Sequence, residues 1–195
     1  MYIAGSCSAS TIIQPSYLEA LITLPIVTKS IPPSPGTVKT PFKTDFKNDF
    51  ISYVDELSDE ARQTNSVNTI YKIENKLIGH NTDIAGFELA IRHCKYNANN
   101  KKALIIGAGG VVPSIIVALK RIGVEKIFLK NRTAENTKNL KVLYPEINII
   151  NWEDIINVDM IINATSVGLN KGEKLNIDIK KFGENKFFYD VIYLS

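Results

Sequence analysis

Two short polar runs, set roughly twenty residues apart, have the residue types and spacing that dinucleotide binding requires. The first is Gly107-Ala108-Gly109-Gly110, entered from the apolar run Leu104-Ile105-Ile106 and left through an apolar helical pattern over 111–122. Glycines allow a tight turn and a close approach to a pyrophosphate, and free N–H groups at the start of the next helix receive its charge. The second run is Asn131-Arg132-Thr133, at the end of a strand pattern over 126–130. A site for NAD places Asp or Glu here, against the ribose 2′-hydroxyl. Here stand Asn131 and Arg132 with Lys130 before them, and a guanidinium can clamp a 2′-phosphate with bidentate hydrogen bonds instead. The residues therefore point to NADP, with Gly107, Ala108, Gly109, Gly110 and Val111 at the pyrophosphate and Asn131, Arg132 and Thr133 at the 2′-phosphate. The plainer alternative is a glycine turn without a nucleotide, with Asn131 and Thr133 capping a helix that begins near Ala134.

The elements that must hold these runs follow from periodicity. Beyond residue 100 the pattern is strand, helix, strand, helix, with strands expected at 103–106, 126–129, 147–150, 160–163 and 187–192. Helices are expected at 111–122 and 134–144, with a shorter one at 152–156. Nearly continuous apolar strands signal a parallel sheet covered on both faces. The fold class is thus α/β: a C-terminal Rossmann-type parallel sheet, preceded by a partial α/β substrate-binding domain. The expected division is 1–98 and 99–195, with the Asn-rich stretch 95–101 as linker. Before it, 47–62 carries apolar residues at helical spacing, 66–73 and 76–78 suggest a hairpin, and 83–93 is helical. Residues 1–35 give no clear pattern beyond a short helix over 15–24 and a proline-rich loop.

Composition excludes several classes. The chain of 195 residues is 45% hydrophobic and 22% charged, with a formal net charge of +3. That charge is too small and dispersed for a nucleic-acid partner. No apolar stretch is long enough for a membrane span, and no signal peptide is evident. Cys7 and Cys94 stand alone without metal-ligand spacing, as do His80 and His93, so no metal site and a reduced, cytoplasmic setting are expected.

Gly79-His80-Asn81-Thr82-Asp83-Ile84-Ala85-Gly86-Phe87 resembles the G-x-N-T-D-x-x-G-F signature of shikimate dehydrogenases. Pro41-Phe42-Lys43, the helix Asp55-Glu56-Leu57-Ser58-Asp59-Glu60-Ala61 and Ser66-Val67-Asn68-Thr69 resemble further motifs in that family's order. So do the glycine turn, Asn131-Arg132-Thr133, Asn163-Ala164-Thr165-Ser166-Val167-Gly168 and Tyr189-Asp190-Val191-Ile192-Tyr193. The resemblance implies NADP-dependent, reversible reduction of 3-dehydroshikimate to shikimate, in chorismate and aromatic amino-acid biosynthesis. It implies Lys43 and Asp83 as the acid–base dyad, and Lys43, Asn68, Asp83 and Tyr193 as substrate contacts. It also implies Val191 as a backbone contact near the nicotinamide and Asp59 as an acidic position near the cofactor. The protein would act on a small molecule as a monomer or homodimer.

The chain departs from that pattern in three places. The family's S-x-S-P-x-x-H-N motif has only a superficial echo in Ser6-Cys7-Ser8-Ala9-Ser10. Lys39 stands at the family's substrate-contacting threonine position. The sequence stops at Ser195, before the family's C-terminal helices. The expectation is therefore a member shortened at both ends. The alternatives are a non-catalytic or weakened NADP-binding remnant, a quinate/shikimate dehydrogenase, or a related domain of the glutamyl-tRNA reductase type, against which the 79–87 signature argues.

Overall fold

A computed structural model describes residues 50–192 except 169, 171, 174 and 176. Lys43, Tyr193 and the readings of residues 1–35 lie outside the described residues. The chain divides into two compact units between Asn81 and Thr82.

In the N-terminal unit, a 3-10 turn at Phe50–Tyr53 leads to β1 (Glu56–Leu57), α1 (Asp59–Thr64), β2 (Thr69–Ile73) and β3 (Lys76–His80). The sheet order is β1-β3-β2, with β1 parallel and β2 antiparallel to β3. The expected hairpin is present; its first strand begins at Thr69 rather than at 66. The single helix expected over 47–62 is not. Glu56 and Leu57 pair with Ile78 and Gly79, and the Asp55 carboxylate accepts the Leu77 N–H at 2.7 Å. Ser58 then starts a new helix, its hydroxyl accepting the Ala61 N–H at 3.2 Å. Apolar residues at helical spacing are thus divided between a strand and a separately capped helix.

Buried Asn81 ties this unit's helix to the end of β3. Its amide donates to the Thr64 hydroxyl at 3.1 Å and to the Ser66 carbonyl at 3.3 Å. The neighbouring His80 Nδ1 lies 2.7 Å from the Ser58 hydroxyl.

The C-terminal unit begins with α2 (Asp83–His93), then β4 (Lys102–Ile106), α3 (Val112–Arg121), β5 (Lys126–Lys130), α4 (Ala134–Leu143), β6 (Asn148–Ile149), β7 (Met160–Asn163), a 3-10 turn at Ile179–Phe182 and β8 (Phe187–Asp190). All five strands are parallel, in the order β6-β5-β4-β7-β8. Successive connections move outward from β4 to β6, then cross back to β7. Right-handed crossovers therefore place α3 and α4 on one face and the later connections on the other. On that second face, Leu104, Ile106, Val158, Ile161 and Phe182 form a buried cluster, with Trp152 and Ile156 packed against it.

Three expectations change in this unit. Residues 152–156 form no helix. The Asp154 carboxylate accepts the Asn151 N–H at 2.9 Å, and the Asp154 carbonyl is taken by the Lys130 ammonium at 2.7 Å, so no helical ladder propagates. The strands expected over 147–150 and 187–192 contract to β6 and β8. Residues 95–101 are built into the unit instead of linking two domains. Tyr96 stacks on Phe187 with centroids 4.1 Å apart, and Ala98 is buried. Helix α2 also belongs here, with Phe87 edge-on to Tyr189 and Glu88 facing Arg121 of α3. The units accordingly part before α2, not at the expected 98/99.

Candidate functional site

Where the strand order reverses, between β4 and β7, the loops leave the sheet in opposite directions and open a crevice at the carboxyl ends. The glycine turn emerges there. The Gly107 N–H donates to the Lys130 carbonyl at 2.9 Å, which sets the turn beside the tip of β5. Gly107 has φ +111°, and a Cβ on it would stand 2.6 Å from the Ala164 carbonyl oxygen. This glycine is required by the protein's own backbone. Gly109 and Gly110 differ: both are exposed, a Cβ on Gly110 would meet nothing within 4 Å, and one on Gly109 only the Ala164 oxygen at 3.8 Å.

The space over those two glycines faces the N-terminus of the ten-residue helix α3. Among the described residues, the N–H groups of Gly109, Gly110 and Val111 donate to no backbone carbonyl. Open space, available donors and a helix N-terminus together fit a pyrophosphate.

At the tip of β5, the Asn131 amide donates to the Thr133 carbonyl at 2.8 Å. Thr133 occupies the N-cap position of α4 but makes no side-chain capping bond, so its hydroxyl is not engaged in the capping role. Arg132 is exposed and has no salt-bridge partner among the described residues. A cationic fork with a neighbouring hydroxyl suits a phosphate monoester.

Beneath this tip lies Lys130, 1% exposed, with its ammonium 5.8 Å from the Trp152 ring centroid and 5.7 Å from that of Phe182. Burial pulls its pKa below the usual lysine range, opposed by the charges of Asp154 and Glu153.

On the other side of the switch point, Val191 donates its N–H to the Asn163 carbonyl at 3.0 Å. Polar side chains without an assigned role in the sequence reading fill this corner. The Asn163 amide donates to both oxygens of Asp190, at 3.1 and 3.2 Å. The Asn163 side-chain oxygen accepts the Thr165 hydroxyl at 2.7 Å and the Thr165 N–H at 3.1 Å. The available signal was a polar residue closing each of two apolar strands.

The remaining described site residues fall in both units. Asp83 is the half-buried first residue of α2, where a carboxylate is favoured by the helix dipole. Asn68 and Asp59 belong to the N-terminal unit. Asn68 is exposed and accepts from the Thr69 hydroxyl at 3.1 Å, and Asp59 forms an exposed pair with Arg62 at 3.2 Å. Among the described residues no group of His, Cys, Asp or Glu is placed to hold a metal.

A doubly wound parallel sheet with a glycine turn at its switch point and a basic strand tip beside it has the architecture of the dinucleotide-binding class of α/β domains. Comparison with known proteins narrows this. A family model described as shikimate / quinate 5-dehydrogenase matches residues 88–190, and the chain belongs to that family. It is 57% identical over 148 residues to a shikimate dehydrogenase (NADP(+)) of Pelagibacter ubique, covering 76% of this chain and 56% of that protein. The chain thus spans little more than half the length of such curated relatives.

Among solved structures, the shikimate 5-dehydrogenase of Thermus thermophilus in complex with NADP(H) and shikimate is similar, with a TM-score of 0.67 and 28% identity. That match covers 76% of this chain and 56% of the other. A 5-ketofructose reductase of a Gluconobacter strain matches at TM-score 0.67 and 28% identity, over 77% of this chain and 57% of its own.

Proposed function

We propose that this chain binds NADP(H) across the carboxyl ends of β5, β4 and β7 and takes part in the reversible reduction of 3-dehydroshikimate to shikimate. The observation that carries the reading is the exposed Arg132 beside a glycine turn with open space and available N–H donors. A dinucleotide laid there has its 2′-phosphate at Asn131, Arg132 and Thr133 and its pyrophosphate at Gly107, Ala108, Gly109, Gly110 and Val111. Its other end extends towards Val191. The cofactor, when bound, supplies the hydride. The chain's own part is to bind, orient and move a proton.

Carbonyl reduction needs an acid at the oxygen, and Lys43 is assigned that proton, which it takes back in the reverse direction. Asp83 is assigned to hold the ammonium of Lys43 and to accept from a ring hydroxyl. Asn68 and Tyr193 are assigned to the substrate's remaining polar groups, and Asp59 to the cofactor side. Substrate binding falls to the N-terminal part and cofactor binding to the part that contains the five-stranded sheet. The same reading puts the protein in the cytoplasm, as a monomer or homodimer, in aromatic amino-acid biosynthesis. No helix among the described residues is long and apolar enough to cross a membrane.

Shikimate-dependent formation of NADPH, followed by absorbance, tests the proposal. Turnover lost in Lys43→Ala with NADP affinity retained is the expected result. NADP binding without turnover in the unmodified chain would leave a binding remnant in its place. A 5-ketofructose reductase of the same fold gives a second substrate to assay. The 57% identity to a shikimate dehydrogenase favours the first reading.

A further inference from the structure

We propose that Asn163 and Asp190 form a clasp that fixes the backbone beneath the nicotinamide end of the bound dinucleotide, making both positioning residues for hydride transfer. This rests on the cofactor reading above and extends it to residues that reading leaves without a role. The register places Lys130, Ile106, Asn163 and Asp190 in one row across the sheet, at the last paired position of each strand. A dinucleotide with its phosphates at β5 and β4 must send its other end over β7 and β8, where the clasp lies.

The hydrogen bonds run without a break from one exit loop to the other. Asp190 Oδ1 accepts the Ile192 N–H at 2.9 Å, and both carboxylate oxygens accept from Asn163 Nδ2. Asn163 Oδ1 accepts from Thr165, whose hydroxyl oxygen accepts the Val167 N–H at 3.1 Å. Residues 164–167 and 191–192 are thereby held in one arrangement. The Ala164 carbonyl within the first loop is also the group that confines Gly107. A shift of this corner would displace the reacting carbon of the ring, and misplacement by about 1 Å costs on the order of a hundredfold in rate.

The chemistry of the pair supplies its own test. In Asn163→Asp, two carboxylates face each other and the loops must part. In Asp190→Asn, one of the two contacts is lost. The exchange Asn163→Asp with Asp190→Asn rebuilds an amide–carboxylate pair with donor and acceptor reversed, and coupling of this kind is what a double-mutant cycle measures.

Three readouts are taken on the full chain: fluorescence of bound NADPH for the nicotinamide end, calorimetric affinity for 2′,5′-ADP for the adenosine end, and shikimate-dependent turnover. Asn163→Asp is expected to move bound-NADPH fluorescence towards that of the free cofactor and to lower turnover about ten- to a hundredfold. Affinity for 2′,5′-ADP should stay within about twofold, since that end is remote from the clasp. Asp190→Asn should do the same to a smaller degree, and the exchanged pair should recover both signals. Unchanged fluorescence in both single variants, equal loss at both ends, or no recovery in the exchanged pair would overturn the clasp while the cofactor reading stands. An unmodified chain that binds neither NADPH nor 2′,5′-ADP would overturn the cofactor reading, and the clasp's role with it.

Discussion

The two sheets of this chain solve different problems. The parallel sheet is a filled sandwich: Ala103, Leu104, Ile105 and Ile106 of β4 are all buried, as are Met160, Ile161 and Ile162 of β7. Its chemistry is displaced to the strand ends, where loops carry polar groups over a rigid support. The three-stranded sheet is thin, with Ile70, Ile73 and Leu77 exposed. It is held at its ends by the Ser58 cap and by Asn81. Support and site are separable in the first sheet, whereas in the second, members of the resembled motifs, Ser58 and Asn81, are themselves the fasteners.

One substitution made in both units gives the sharpest contrast. In Gly107→Ala the new methyl meets a carbonyl oxygen at 2.6 Å, on a backbone at φ +111°. The expected loss is about 4 kcal/mol of the C-terminal unit's stability, seen as a shifted urea midpoint. In Gly79→Ala the methyl meets side-chain tips of Val67, Leu57 and Val54 at 2.9 to 3.1 Å. These can yield, and the expected loss is about 1–2 kcal/mol, confined to amides of the small sheet in hydrogen exchange. Equal losses would erase the distinction between a backbone wall and a side-chain wall.

Arg132→Ala tests the strand-end chemistry with the support left intact. Affinity for NADP should fall about a hundredfold, the weight of a lost charge-assisted bidentate contact of about 2–3 kcal/mol. NAD affinity should hardly change in the same titration. A parallel loss for both cofactors would remove phosphate recognition from this arginine.

The smallest effect belongs to Lys130→Met, which keeps the volume of a buried cation and removes its charge. At neutral pH stability should be unchanged or raised by about 1 kcal/mol. The pH dependence is more telling. With the folded pKa below the unfolded one, the unfolded chain binds more protons between the two values. This lysine's contribution to stability is therefore flat below that window and rises with pH through it. Subtracting the Lys130→Met curve from that of the unmodified chain, both from urea midpoints measured towards pH of about 10, should show that rise. A flat difference would mean the ammonium is not held in a desolvated place.

Much of the parallel sheet was legible because its signals are local. The apolar runs at 103–106, 126–129 and 160–163, and the helical pattern at 83–93, match the observed elements to within a residue. The glycine turn and Arg132 were legible for the same reason, since each motif is contiguous. Residues 47–62 misled because helical spacing of apolar residues is also met by a strand followed by a short helix, and only pairing with β3 decides between them. At 152–156 two contacts at Asp154 compete with the helix, its carboxylate on the Asn151 N–H and its carbonyl on the Lys130 ammonium. The second comes from β5, distant in sequence. Asn163 and Asp190 each sit in a contiguous motif, but neither motif alone points to a shared role. Their partnership arises from the register of β7 against β8 across 27 residues of sequence, which no local pattern encodes.

The shortness of β6 has a consequence for how the molecule behaves in a crowd. Only Asn148 and Ile149 pair with β5, and the Asn148 amide turns back to the Ile127 carbonyl at 3.3 Å. The Lys141 ammonium occupies the carbonyls of Pro145, at 2.7 Å, and Ile147, at 2.5 Å, just ahead of the strand. A foreign strand seeking to zip onto this margin finds a brief ladder flanked by a cation, so the flank that closes the sheet also discourages fibril-like stacking of one copy upon another.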